Sequence, residues 1–369
     1  MTPERKFAIP KGSTVLVTGA NGFIGSHVCK ELLQLGFNVR GTVRDVSKCA
    51  WLPEALTRQR PKGDFMLVSL PDMEKEGAFD AAVEGVSAVI HTASPVSFSP
   101  NPESVIPRSI TVALNALKAA NKAASVKRFI FTSSSVAAAL PRPGKKGIEV
   151  NSDSWNTESV EIAWREAPYH PQRAWHIYAA SKVEAEMAVW KFYHENIRRR
   201  YDLIVSSGKQ PAVLWILGLC NEADWVLVLP GTNFGRALDA ANQGHSSTSS
   251  FIESLWNGTH VDRLKLIKTT EYFVDVEDNA RLHVAAAVLP NVRSERIFAW
   301  AEPFNFDTVL DILRTHFPEK NFVDNFHHYR ELSVVSQPQS RAVELLRQLG
   351  REGFVPLKQS VLLNVEDLS

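Results

Sequence analysis

Short apolar runs alternate with helix-length segments through the first half of the chain. Thr14–Val17 is a β-branched run, followed by a glycine-rich turn and a helical pattern over Phe23–Leu35 that Gly36 stops. The pattern predicts further strands at Asn38–Val43, Phe65–Val68, Ala88–Thr92 and Arg128–Thr132, with an alanine-rich helix over Glu103–Ala124. Near-continuous apolar strands in a β-α-β rhythm predict an α/β fold, with a doubly wound parallel sheet covered on both faces.

Beyond Thr132 the pattern changes. Pro141 to Gln172 is rich in Pro, Gly and charge, and predicts a long loop carrying short helices. Trp155 and Trp164 lie within it and Trp175 just after it. Tyr178–His194 is a strong helical stretch of Ala, Glu, Lys and Met. In the C-terminal third, Gly244–Ser250 is polar, while Phe304–His316 and Gln339–Leu349 read as amphipathic helices. That third reads as a smaller lobe over the strand ends. Residues 197–223 break the rhythm. The basic cluster Arg198–Arg200, Ser206-Ser207-Gly208 and the apolar run Ala212–Leu219 stand where a helix would turn straight into the next strand, Trp225–Leu229.

Charge narrows the partners. With 41 basic against 40 acidic residues, the chain of 369 residues has no field to gather nucleic acid or an anionic membrane. No run of about 18 apolar residues occurs, and Met1–Gly12 has no secretory pattern. Cys29, Cys49 and Cys220 form neither a C-x-x-C pair nor a zinc spacing. The expectation is a cytoplasmic protein with free thiols and no metal, in which the sequon Asn257-Gly258-Thr259 is idle.

Four constellations carry chemistry. Gly19, Gly22 and Gly25 lie in the turn between a strand and a helix. There a missing Cβ lets the backbone approach a pyrophosphate and the helix N-terminus offers free N–H groups. Arg44 follows the second strand with Lys48 nearby, a pairing suited to an adenosine 2′-phosphate, so NADP is expected. Asp45 keeps NAD as the lesser option, and an Arg44–Asp45 surface pair is the bland alternative. Tyr178 and Lys182, four apart on a helix, share a face; an ammonium beside a phenol favours the phenolate and suits the pair to proton transfer. Thr132-Ser133-Ser134-Ser135 ends a strand, where a hydroxyl could hold a carbonyl oxygen or simply cap a turn. Asp72 could touch adenine or only solvate its loop, and His176 could face a substrate. No metal-ligand spacing and no Gly-x-Ser-x-Gly elbow occur.

Taken in this order, these segments resemble the extended short-chain dehydrogenase/reductases, within the NAD-dependent epimerase/dehydratase superfamily. The resemblance is to their dihydroflavonol-reductase-like branch, with its yeast and fungal aldehyde and ketone reductases. It rests on Ile9–Gly12, the glycine turn, Arg44 with Lys48, Pro71-Asp72-Met73, Lys127–Ser134, Ser154-Trp155-Asn156, Tyr178–Glu186, Tyr272–Val276 and Leu346–Arg351. It spans nearly the whole chain apart from about 197–223.

The resemblance implies a Rossmann dinucleotide-binding domain over 1–235. Residues 236–369 would form mainly a substrate-binding lobe, with 271–300 returning to the first domain. It implies NADPH-dependent reduction of an aldehyde or ketone, commonly one with a hydrophobic or aromatic group. The catalytic set would be Ser134, Tyr178 and Lys182, the lysine also holding the nicotinamide ribose. Cofactor contacts would come from Gly19, Asn21, Gly22, Phe23, Ile24, Gly25, Arg44 and Lys48. Asp72, Met73, Thr92, Ala93 and Ser94 would add to them, with Leu229, Pro230 and Thr232 beside the nicotinamide. Position relative to the strand ends places the pocket walls at Val96–Phe98, Val136, residues 141–176, Thr232–Phe234 and Ser250–Trp256. Two departures stand out. Thr111-Val112-Ala113 replaces the Asn-Gly-Thr of many extended members, and 197–223 reads as an insertion or translated intron. The competing readings are an NAD-linked sugar-nucleotide epimerase or dehydratase, and a non-catalytic cofactor-binding protein should 197–223 disrupt the site.

Overall fold

The apolar runs become strands β1 (Thr14–Thr18), β2 (Asn38–Val43), β3 (Phe65–Ser69), β4 (Ala88–His91) and β5 (Arg128–Thr132). Helices α1 (Phe23–Leu35), α2 (Trp51–Arg58) and α3 (Ile106–Lys122) lie between them. Next come β6 (Ile148–Val150), α4 (Thr157–Ala163), α5 (Ala174–Asn196), β7 (Ile204–Ser206), β8 (Val226–Pro230) and β9 (Thr232–Phe234). Then follow α6 (Ala240–Gln243), α7 (Ser249–Asn257), α8 (Val261–Leu266), β10 (Glu271–Asp275), α9 (Val276–Val288) and β11 (Glu295–Ala299). The last are β12 (Pro303–Phe304), α10 (Phe306–His316), β13 (Val334–Ser336), α11 (Gln339–Gln348) and α12 (Leu357–Asn364). This is a computed structural model, and it describes residues 6–196, 204–206, 226–267, 269–293, 295–336 and 339–369.

The main sheet runs β11-β8-β5-β4-β1-β2-β3 with every pairing parallel. Alternation along β1 shows how it is buried on both faces. Val15 and Val17 join the core under α1 and α9, with Val28, Leu32 and Leu282, whereas Leu16 joins the opposite core with Phe129, Leu117 and Trp190. Each such side chain taken out of water stabilises the fold by about 1.5–3 kcal/mol. A third core, around Phe234, Phe273, Phe304, Phe306 and Val361, holds the C-terminal helices to a small sheet ordered β12-β10-β9. A two-stranded pair, β13 with β6, clamps the long loop.

Differences from the sequence pattern have local causes. The helix expected over 103–124 is divided. Asn101 caps a 3-10 turn at Pro102–Ser104, and α3 then starts with Pro107 in its first turn, where a missing N–H costs nothing. Within the long loop, Asn156 starts α4 by accepting from the Ser159 N–H at 3.1 Å. α5 begins four residues before Tyr178, so that residue sits inside a formed helix rather than at its frayed end. Apart from Ile204–Ser206, the segment 197–223 lies outside the described residues, as does Trp225. β5 is flanked on one side by both β7, against Arg128–Ile130, and β8, against Phe131 and Thr132. Two separate pieces of chain thus share one edge of a five-residue strand.

Candidate active site

The ends of β1 and β4 are tied together by Thr18. Its hydroxyl meets His91 Nδ1 at 2.9 Å and accepts from the Ala93 N–H at 3.1 Å, while Thr92 Oγ1 donates to the Thr18 carbonyl at 2.6 Å. This brings Ala93 against Gly19, where a Cβ would stand 3.2 Å from both Ala93 carbons and where φ is +66°. At Gly25 a Cβ would meet the Gly19 carbonyl oxygen at 2.3 Å. The turn therefore requires glycine at both positions. α1 begins on Gly22 with no side-chain cap, so its first N–H groups have no side-chain acceptor and face a cleft lined by Asn21, Gly22, Phe23 and Ile24. A backbone cradle that a Cβ would fill, at an uncapped helix N-terminus, fits the pyrophosphate of a dinucleotide. His91 takes no part in the cleft. It is buried among Phe79, Phe129 and Phe131, and burial pushes its pKa down to about 3.

At the far end of the same cleft stands Arg44. Asp45 does not pair with it. One oxygen of that carboxylate accepts from the Ser47 N–H at 2.9 Å, the Ser47 hydroxyl at 2.6 Å and the Lys48 N–H at 3.4 Å, closing its own turn. Among the described residues Arg44 has no acidic partner, which suits a ligand phosphate. Lys48 sits in the 3-10 turn Ser47–Cys49, whose first two N–H groups donate to Asp45, and does not line the cleft. Asp72 lines it, but its carboxylate accepts from the Glu74 N–H at 2.9 Å. Met73 lines it too, its carbonyl held by Asn115 Nδ2 at 3.1 Å.

The hydroxyls at the end of β5 go to different partners, which separates their roles. Thr132 Oγ1 meets His283 Nε2 at 2.8 Å. Because His283 Nδ1 must donate to the Asn279 carbonyl at 2.8 Å, Nε2 accepts, and the ring stays neutral with its pKa pushed by burial to about 4. Ser133 Oγ donates to Glu186 Oε2 at 2.7 Å. Ser134, extended at φ −158° and capping a 3-10 turn, is the serine whose hydroxyl pulls the Tyr178 phenol downward.

Tyr178, Lys182 and Glu186 descend one face of α5. Burial pushes the Tyr178 phenol above its usual value, and the Ser134 hydroxyl pulls it back. The ammonium effect expected on that phenol is not the governing one. Lys182 instead donates to the Thr132 carbonyl at 3.4 Å, with its pKa lowered by burial to about 8 and supported by the charge of Glu186. Glu186 is fully buried and paired with Arg296, Oε1 to Nε at 3.0 Å. The guanidinium lies 4.4 Å from the Trp155 ring centre and donates to the Ser154 carbonyl. The Ser154–Asn156 stretch thereby reaches the active helix through Arg296.

One continuous cleft of about 1980 Å³ joins the glycine turn, Arg44, Thr92–Ser94, Ser134, Tyr178 and Lys182. Pro230 and Thr232 line it as expected from sequence, but Leu229 does not: it is buried inside β8, its carbonyl accepting from Trp300 Nε1 at 3.0 Å. Val96–Phe98 and Val136 are wall residues; of Thr232–Phe234 the wall takes Thr232 and Asn233, and of Ser250–Trp256 it takes Phe251. Phe98 and Trp175 form an aromatic group with Tyr178, at ring separations of 5.4 and 6.3 Å. His176 is on the wall and bonded to Ser159 at 3.1 Å. Val112 also lines the cleft, at the position of the departure noted above. Outside the walls expected from sequence, Glu271, Tyr272 and Phe304 reach the cleft from the small sheet and Trp300 from the end of β11. No run of local pattern marks them. Among the described residues no group of His, Cys, Asp or Glu is placed to hold a metal, and no helix is long and apolar enough to cross a membrane.

Residues 15–299 match the model of the NAD dependent epimerase/dehydratase family. Aldehyde reductase 2 of Sporidiobolus salmonicolor is 38% identical over 96% of this chain and 95% of its own. Ketoreductase adrE of Penicillium roqueforti is 36% identical over 98% of both. Among solved structures, Gre2 of Candida albicans in complex with NADPH superposes with a TM-score of 0.73 at 25% identity, covering 97% of this chain and 98% of that one.

Proposed function

The chain belongs to the NAD-dependent epimerase/dehydratase family, and from that premise we propose that it is an NADPH-dependent reductase of aldehydes or ketones. The observation that carries this is the meeting of Ser134, Tyr178 and Lys182 on the wall of the cleft that also holds the glycine turn. The names of its relatives, an aldehyde reductase and a ketoreductase, support the same reading. NADPH rather than NAD follows from Arg44, which Asp45 leaves unpaired. Gly19–Gly25 would cradle the pyrophosphate and Lys182 the nicotinamide ribose.

Bound NADPH supplies the hydride that goes to the carbonyl carbon. Tyr178 gives its phenolic proton to the carbonyl oxygen as that oxygen becomes an alkoxide. Burial suits it to this direction of reaction, because a phenol held above its usual pKa stays protonated at neutral pH and ready to donate. Ser134 shares the oxygen and orients it. Lys182, charged below about pH 8, stabilises the phenolate that remains. Phe98, Trp175, Tyr272 and Trp300 favour a carbonyl compound with an aromatic or apolar body. Free Cys29 and Cys49, both buried, accord with a reducing compartment.

Loss of nicotinamide absorbance with NADPH and with NADH, across aromatic aldehydes and keto esters, tests the proposal. The assay is run on the chain as given and with 197–223 deleted. Turnover preferring NADPH supports it, and none in either form refutes it.

A further inference from the structure

Buried acids in this molecule have recognisable partners. Glu186 has Arg296, Asp278 and Glu31 have Arg281, and Asp275 caps α9 and accepts from Ser360 at 2.7 Å. Glu271, half-buried on the cleft wall, has no such cation among the described residues. It opens β10 on the cleft wall, beside Tyr272 and Trp300, in a region whose walls are aromatic. Thr232 Oγ1 donates to its Oε2 at 3.3 Å and Thr269 Oγ1 to its Oε1 at 3.2 Å. Among the described residues no lysine, arginine or histidine pairs with it, and no backbone N–H reaches it. Burial accordingly pushes its carboxyl upward. Each oxygen has one long hydrogen bond from a neutral hydroxyl and can accept more.

A half-buried carboxylate with no cation paired to it among the described residues loses more of its water when a substrate fills the cleft, and a ligand that brings a cation offsets that cost. We propose that Glu271 is a substrate-recognition residue that selects carbonyl compounds bearing a protonated amine and disfavours those bearing a carboxylate. The inference rests on the reductase reading above and adds the chemistry of the group distant from the carbonyl. Thr232 and Thr269 hold the carboxyl in place at the wall, while the neighbouring rings receive the apolar part of the substrate. A charge-assisted hydrogen bond in such a setting is the stronger kind.

The test is a matched set of aryl ketones differing only in a side-chain aminomethyl, ethyl or carboxymethyl group, assayed with NADPH at pH 7. The unaltered chain should favour the amino ketone over the ethyl ketone in kcat/KM by about tenfold or more, with the carboxylate poorest. In Glu271→Gln that ratio should fall towards one. A ratio that is already near one in the unaltered chain overturns the inference. So does a variant that lowers both substrates alike, the mark of a merely structural role. A second measurement needs no variant: an arylalkylamine lacking a carbonyl should compete with an apolar ketone more strongly than the equal-sized alkylbenzene does. Equal inhibition by the two contradicts the proposal. Turnover of the ethyl ketone shows whether the reductase reading itself stands, so failure of one is separable from failure of the other.

Discussion

Arg296→Met removes the guanidinium that meets Glu186 where both side chains are wholly buried. At an effective dielectric near 20, two charges about 4 Å apart attract by about 4 kcal/mol, and breaking a buried pair costs about 3–5 kcal/mol. Two further losses accompany it: the hydrogen bonds to the Ser152 and Ser154 carbonyls and the contact with Trp155. Glu186 has one escape, which is to take up a proton. Burial already pushes its pKa upward, against the pull of Arg296 and Ser133, so protonation limits the penalty. The expected destabilisation is about 3–5 kcal/mol, read as a shift in the urea midpoint at pH 7. The double variant Arg296→Met with Glu186→Leu should recover most of it, since an apolar pair of similar volume replaces buried charge at little cost. Glu186→Gln keeps the shape and removes the charge that supports protonated Lys182. Its alkaline limb in kcat/KM, set near pH 8 by Lys182, should then move to lower pH. A single variant within about 1 kcal/mol of the parent would refute the energetic argument. A double variant as weak as the single would do the same, and an unmoved alkaline limb would refute the link to Lys182.

Arg44→Ala should raise KM for NADPH by about tenfold to a hundredfold, the worth of a charge-assisted phosphate contact, while leaving KM for NADH nearly unchanged. Equal effects on the two cofactors would contradict the placement of the 2′-phosphate there. Gly25→Ala puts a methyl 2.3 Å from the Gly19 carbonyl oxygen and should destabilise by about 1–3 kcal/mol or more, with cofactor binding lost first; titration of NADPH fluorescence measures it. Burial alone would raise Glu277, but Lys30, bonded to it at 2.6 Å, and the nearby His27 and Arg281 hold it down at about 2. Its folded pKa lies below its unfolded one, so the stability it adds is complete above about pH 4.5 and is lost as pH falls through about 2. Glu277→Gln should therefore cost about 3 kcal/mol at pH 7 and little near pH 2, as read by denaturant midpoints across that range.

Where structure follows from chain-local pattern, the sequence carried it. β1, the glycine turn and α1 form one continuous signal, in which the period changes from strand to helix across residues that tolerate no Cβ. Tyr178 and Lys182 were legible because i, i+4 spacing places them together on any helix. What was not legible depends on partners far along the chain. α9 escaped the hydrophobic pattern because it is buried on nearly every side, and its polar residues Asp278, Asn279 and His283 find partners at Val355, Asn233 and Thr132. Glu271 has no local signature, and its meaning comes from Thr232 across the small sheet. The resemblance had placed the catalytic serine at Ser134, and three dimensions add that Glu186 takes the Ser133 hydroxyl while the Ser134 hydroxyl acts on the Tyr178 phenol. Leu229 stays in the core because alternation along β8 puts it on the same face as Leu227, opposite Val228. Lys48 was lost to the turn that Asp45 closes.

The most direct measurement compares Tyr178→Phe with the parent in NADPH consumption on an aromatic aldehyde, with NADPH binding followed separately. A reductase that uses this phenol as its acid should lose about a hundredfold or more in kcat while binding NADPH as before. Turnover undiminished in Tyr178→Phe would contradict the account at its centre.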